Sequence, residues 1–125
     1  MNKAIKINRK QKNTFKGKIF FFNDLKFKNF NLQRFFIITS NKKKEIRGMH
    51  AHKKCDQILI LTNGQAKIKI FKNSTKIFNL KKNDAIYLPK KHWVEIYFLK
   101  QTSSILVLCN CKFNLKEYIF DKKLI

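Results

Sequence analysis

Two-residue alternation governs this chain. Gln65 to Ile70 runs QAKIKI, with Ala66, Ile68 and Ile70 on one face of a strand and Lys67 and Lys69 on the other. Just before it, Gln57 to Leu61 (QILIL) is continuously apolar, the pattern of a strand buried on both faces. Asn63-Gly64 separates the two. Both residues tolerate positive φ, so the pair predicts a tight hairpin. Further strands are predicted over 17–22, 32–39, 75–80, 85–88, 93–99 and 104–109, with polar joints at 41–44, 73–74, 81–84 and 100–103. Many short strands at this spacing predict an all-β barrel or sandwich. One short helix is expected late, between Asn114 and Phe120. Asn114 is placed to cap it, and Glu117 follows at capping-box spacing.

The length of 125 residues allows one compact domain, taken as residues 1–125. Lys and Arg number 29 against 7 Asp and Glu, a formal charge of +22. Only 3 of the 29 are Arg, and Lys, Asn, Ile and Phe together make 68 residues. Their codons are dominated by A and T, so drift toward Lys at tolerant positions explains the charge better than nucleic-acid binding, which favours the planar Arg fork. The lysines are scattered, Lys42-Lys43-Lys44 being the longest run. No nucleic-acid or membrane partner is expected, but the field would draw in a small anionic substrate. No apolar run nears the ~20 residues that cross a bilayer. Residues 1–18 are basic without an apolar stretch, so no secretory signal is visible and a cytoplasmic location is expected. The three cysteines, Cys55, Cys109 and Cys111, are an odd number and are expected to be reduced small hydrophobes.

The informative stretch runs from Arg47 to Gly64. His50 and His52, at i and i+2 on a strand, point the same way into one cavity. HxH, four residues, Gln57, six residues, Gly64 resembles the first motif of the cupins, with Gln where their Glu stands. Their second motif falls on Asn83 to Trp93, with Pro89 in the proline position and Val94 where the third histidine would be; His92 lies two residues early, near the strand's mouth. Two of four metal ligands remain. Two imidazoles and a neutral amide hold a divalent ion weakly, so no metal and no cofactor is expected. An imidazole titrating near pH 6.5 can take and return a proton.

At these residues the chain resembles one family of cupins, the sugar-nucleotide 3,4-ketoisomerases acting on dTDP-4-keto-6-deoxy-glucose. The matching stretches, spread over residues 14 to 120, are Arg34-Phe35-Phe36-Ile37, RGMHAHKKCDQILI from Arg47, Asn63-Gly64, IYLPKKHWVEIY from Ile86, Leu106-Val107-Leu108, and Glu117-Tyr118-Ile119. The resemblance implies a metal-independent cupin jelly roll and a homodimer with exchanged N-terminal strands. It implies an isomerase that moves the ketone of a dTDP-linked 4-keto-6-deoxy-hexose from C4 to C3, for 3-amino sugars of surface polysaccharide. His50 and His52 are then the catalytic pair, with His52 preferred as base. Arg34, Arg47, Gln57, Trp93 and Glu95 are candidates for binding substrate: the arginines for the diphosphate or sugar oxygens, Gln57 for a hydroxyl or a histidine, Trp93 for a ring, and Glu95 for a hydroxyl or a histidine. Phe36 and Ile37 stand where that family carries tyrosines. Two readings stay open beside this one: a non-catalytic sugar-nucleotide-binding cupin, and a metal-dependent cupin enzyme acting on another small molecule.

Overall fold

A computed structural model describes residues 3–23, 25, 30–41 and 45–125. The lysine run 42–44, and with it most of the joint predicted at 41–44, lies outside them. Twelve strands are present among the described residues: β1 Ile5–Ile7, β2 Lys10–Thr14, β3 Gly17–Phe21, β4 Arg34–Thr39, β5 Ile46–His52, β6 Gln57–Asn63, β7 Gln65–Lys72, β8 Ser74–Lys81, β9 Ala85–Leu88, β10 Trp93–Phe98, β11 Ser104–Cys109 and β12 Tyr118–Ile119. They form two five-stranded sheets, in the orders β1-β9-β6-β11-β4 and β12-β5-β10-β7-β8, and β2-β3 forms a separate two-stranded sheet. All pairings are antiparallel. This is the all-β sandwich that the alternation predicts, with the jelly-roll form that the resemblance implies.

The core follows from strand parity. Leu59, Leu61, Ile86, Leu88, Ile105 and Val107 from one sheet meet Ile68, Ile70, Val94, Ile96 and Phe98 from the other. Burying each such side chain stabilises the fold by ~1.5–3 kcal/mol. The alternate residues Ile58 and Ile60 of β6 join Ile7, Ala85 and Tyr87 in a second apolar cluster. This explains why QILIL lacks a polar face.

Two local expectations need correction. Asn63-Gly64 is not a hairpin: β6 and β7 lie in different sheets, and the chain crosses between them there. Gly64 has φ +82°, and a Cβ on it would stand 2.2 Å from the Ser103 hydroxyl, so this corner admits only glycine. The tight hairpin is the next one, where Asn73 at φ +66° lets Lys72 pair with Ser74. The late helix is only a 3-10 turn, Leu115–Glu117. Asn114 does cap it, accepting from the Lys116 N–H. The Glu117 side chain bonds elsewhere, and Tyr118 already pairs with β5.

Candidate active site

Between the sheets a cavity of about 310 Å³ is lined by Phe36, Ile37, Ile38, Arg47, Gly48, His50, Gln57, Leu59, Val94, Ile96, Val107 and Tyr118. The wall is mostly apolar, with four polar side chains: Arg47, His50, Gln57 and Tyr118. Such a composition suits a small ligand held by few fixed contacts. Phe36 and Ile37 both lie on this wall.

β5 carries the histidines past an irregularity. Gly48 is at φ +86° and Met49 at φ +60°, and the register against β10 shifts so that His50 faces Val94 while Gly48 faces Glu95. A Cβ on Gly48 would come within 2.9 Å of the Val94 carbonyl oxygen. Beyond this bulge the strand is regular, and the two rings meet edge to face with centroids 5.0 Å apart. They are not equivalent. His50 lies on the cavity wall and His52 one layer behind it, only 3% exposed.

His50 Nδ1 is 2.9 Å from the Gly48 carbonyl oxygen. A carbonyl only accepts, so Nδ1 carries the proton and the lone pair of the neutral ring is on Nε2. Burial pushes its pKa below the ordinary 6.5, against the Gly48 hydrogen bond and aided by the neighbouring His52. A neutral imidazole with a free lone pair at pH 7 is a competent base.

His52 Nδ1 is 2.5 Å from Glu117 Oε2. Its Nε2 lies 3.3 Å from the Gln57 amide nitrogen, which also approaches the Cys109 sulfur at 3.4 Å. The other oxygen of Glu117 accepts from the backbone N–H groups of Lys54 and Cys55, at 2.6 and 2.8 Å. Burial would raise the Glu117 carboxyl, but the Lys54 N–H, the His52 ring and the Cys55 N–H together hold it below its usual value. Tyr118, paired with His52 in register, packs on both rings, at 4.4 Å from His52 and 4.9 Å from His50.

Cys55 and Cys111 form a disulfide with Cα atoms 5.4 Å apart, while Cys109 is free and buried. The expectation that all three are reduced is corrected for the first two. They are 56 residues apart in sequence, and antiparallel folding closes that distance. His52, Cys55 and Glu117 bring potential ligand atoms within 4.8 Å of one another. This donor set does not fit a divalent ion, because the imidazole and carboxylate are bonded to each other and the second carboxylate oxygen is taken by two backbone N–H groups.

The other candidates divide between the cavity and its surroundings. Arg47 lines the cavity, with Nη1 3.5 Å from the Thr39 carbonyl oxygen. The Arg34 guanidinium stacks over Phe36 and Phe113, at 5.0 and 5.4 Å, with Nη2 3.6 Å from the Cys109 sulfur and a buried Nε that lacks a hydrogen-bond partner. Trp93 and Glu95 have the opposite parity to the inward Val94 and Ile96. There Trp93 Nε1 and the Tyr97 hydroxyl donate to Glu95 at 2.9 and 2.7 Å, beside a separate pocket of about 100 Å³ that Lys69 and Lys122 also line. Glu95 therefore does not orient a histidine; Glu117 contacts His52. His92 is buried and bonded through Nδ1 to the Lys90 carbonyl, away from the cavity wall. Glu117 and Tyr118 were not singled out as site residues from the sequence. The usable signal was an acidic-aromatic pair at 117–118 ending the run of matching stretches.

Similarity to known proteins agrees with this geometry. The family described as "FdtA: WxcM-like, C-terminal" matches residues 1–124. This chain belongs to that family. Among characterised relatives, the TDP-4-oxo-6-deoxy-alpha-D-glucose-3,4-oxoisomerase of Aneurinibacillus thermoaerophilus is 27% identical over 93 residues, 72% of this chain and 66% of that protein, just under two thirds of its length. A 3,4-ketoisomerase from Helicobacter canadensis superposes with a TM-score of 0.85 at 28% identity, over 99% of this chain and 95% of that one. The sugar 3,4-ketoisomerase QdtA from Thermoanaerobacterium thermosaccharolyticum, solved in complex with TDP, superposes with a TM-score of 0.81 at 26% identity, over 97% and 90%. No helix among the described residues is long and apolar enough to cross a membrane.

Proposed function

We propose that this protein is a sugar-nucleotide 3,4-ketoisomerase that moves the ketone of a TDP-linked 4-keto-6-deoxy-hexose from C4 to C3. The observation that carries the reading is the cavity itself: an imidazole on its wall in contact with a second one just behind it, in a chain of a family with a relative named for that activity. The reaction removes the proton at C3, passes through an enediolate and returns a proton at C4. Its electrons stay within the substrate, so the protein must supply a base, an acid and support for negative oxygen.

His50 presents Nε2 to the cavity and is the group we assign to exchange with carbon. His52, preferred as base on resemblance, stands behind it and completes the proton route. Arg47 and Tyr118 are the cavity donors for developing oxyanion charge, and Gln57 orients His52. Trp93 and Glu95 face away from this cavity, so any substrate contact of theirs is to parts of the nucleotide that extend beyond it; Arg34 shares the inward face of β4 with Phe36 and Ile38 but is not on the cavity wall. The product is suited to an aminotransferase making a 3-amino sugar.

The chain acts as one cupin domain, and as a homodimer. Phe15, Phe35 and Ile37 are 96%, 65% and 64% exposed, and the β2-β3 hairpin forms its own sheet; a second copy exchanging N-terminal strands would cover such surfaces. We place the enzyme in the cytoplasm, where the Cys55–Cys111 link would face reducing conditions; the site must then work with both thiols free. Incubation with TDP-4-keto-6-deoxyglucose tests the assignment: the 3-keto isomer should accumulate with no added metal. Tight TDP binding without conversion would select the non-catalytic alternative, and strict dependence on a stoichiometric ion the metal-dependent one.

A further inference from the structure

We infer that Glu117 is the positioning residue of the proton route: its carboxylate holds His52 in the tautomer protonated on Nδ1, so that Nε2 keeps the lone pair. This rests on the isomerase reading above and names a residue that it does not use. The geometry is specific. Oε2 meets Nδ1 at 2.5 Å, and Oε1 is fixed by two backbone N–H groups, of Lys54 and Cys55, at 2.6 and 2.8 Å. A carboxylate that accepts at both oxygens cannot swing away from the ring without leaving the buried His52 and Cys55 donors unpaired. The pair is sheltered, with side chains 3% and 10% exposed, so solvent screens it little.

The surroundings hold the carboxylate in place. The Lys53 N–H donates to the Glu117 carbonyl oxygen at 2.8 Å, and Tyr118 pairs with His52 across β12 and β5. Glu117 thus reaches the back of His52 while the next residue, Tyr118, covers its face. When His52 takes up a proton passed on through His50, the ring becomes an imidazolium whose Nδ1–H already points at a negative charge, and handing that proton back restores the starting tautomer. Glu117 does not touch the cavity, so it acts only through His52.

The test is to assign the His52 ring protons by nitrogen-15 NMR and to measure kinetics for the full-length chain and its E117Q and E117D variants. In the wild type, His52 should carry its proton on Nδ1. In E117Q the amide offers N–H where the carboxylate accepted, so the proton should move to Nε2. kcat should then fall about 10- to 100-fold, with KM changed less than about threefold. E117D should restore the Nδ1 proton and most of kcat. Should E117Q fail to fold, the wild-type tautomer and E117D still decide. Wild-type kcat in E117Q, or an E117D variant that keeps the Nδ1 proton but is as slow as E117Q, overturns the assignment. So does an active wild type protonated on Nε2, which leaves the isomerase reading intact. A wild type protonated on Nδ1 that isomerises no TDP-linked ketosugar overturns both.

Discussion

Glu95 and Glu117 are both carboxylates bonded to ring donors, and they differ in what lies beside them. Glu95 accepts from Trp93 and Tyr97 on the outer side of β10. Glu117 accepts from His52 and two backbone amides on the inner side of β5. In the first cluster the donors are an indole and a phenol, neither of which gains or loses a proton near pH 7. In the second the donor is an imidazole in contact with another imidazole at a cavity wall. The motif around Trp93 also stands out in the sequence, yet of the two clusters the inner one has the groups able to move a proton. Buried hydrogen-bonded carboxylates are therefore poor markers of a site until their partner can titrate.

The sharpest way to break this contrast is to remove both imidazoles. His50→Asn with His52→Asn should lower kcat at least about 10³-fold, the combined scale of two acid–base groups, while the circular dichroism spectrum and melting temperature stay close to wild type. Undiminished turnover would take the inner cluster out of the mechanism. Reducing the Cys55–Cys111 link, which closes a 56-residue separation, should cost about 2–4 kcal/mol of stability. Urea midpoints with and without reductant measure it, and turnover in the reduced sample shows whether the inner cluster needs the clamp. On the outer side, Glu95→Gln should cost about 1–2 kcal/mol through its hydrogen bonds but lower kcat far less than E117Q; an equal loss would erase the distinction.

The smallest effect is in pH. Burial holds His50 below 6.5, so the acid limb of kcat/KM should fall below that value. The same shift makes the unfolded chain bind protons that the fold does not. Stability should therefore decline as pH drops from 6.5 through the folded pKa. Glu95 and Glu117 both sit below their usual 4.5, Glu95 chiefly through the Tyr97 hydroxyl. Their contributions are present above pH 4.5 and are lost as pH falls through the folded values. An acid limb at or above the ordinary histidine range would contradict the environment described for His50.

Strand content was legible in the sequence because alternation encodes parity directly. The strands over 85–88 and 104–109 have the predicted bounds, and the histidine pair was found because i and i+2 share a face. What one strand does relative to another was harder to read. Asn63-Gly64 announces a sharp turn, but its local chemistry does not say whether the next strand pairs with the last or crosses to the other sheet. Trp93 and Glu95 share a face, as their spacing requires, but nothing in the spacing says which face is inward. Glu117 looked like a capping residue because its neighbours favour a local turn; its partner His52 is 65 residues away. The disulfide was hidden for the same reason, and an odd cysteine count argued against it. β1 and β2 were not anticipated: β1 has only three residues, and every residue of β2 is exposed.

The most direct test follows the reaction by proton NMR in deuterated water, with TDP-4-keto-6-deoxyglucose as substrate. A proton route through the His50–His52 cavity predicts a ketone that moves to C3 and one deuterium delivered to C4, on the face that sets the galacto or gluco outcome. A ketone that stays at C4, or one that moves with the C3 protium carried over to C4 in every product molecule and no deuterium taken from solvent, would contradict it.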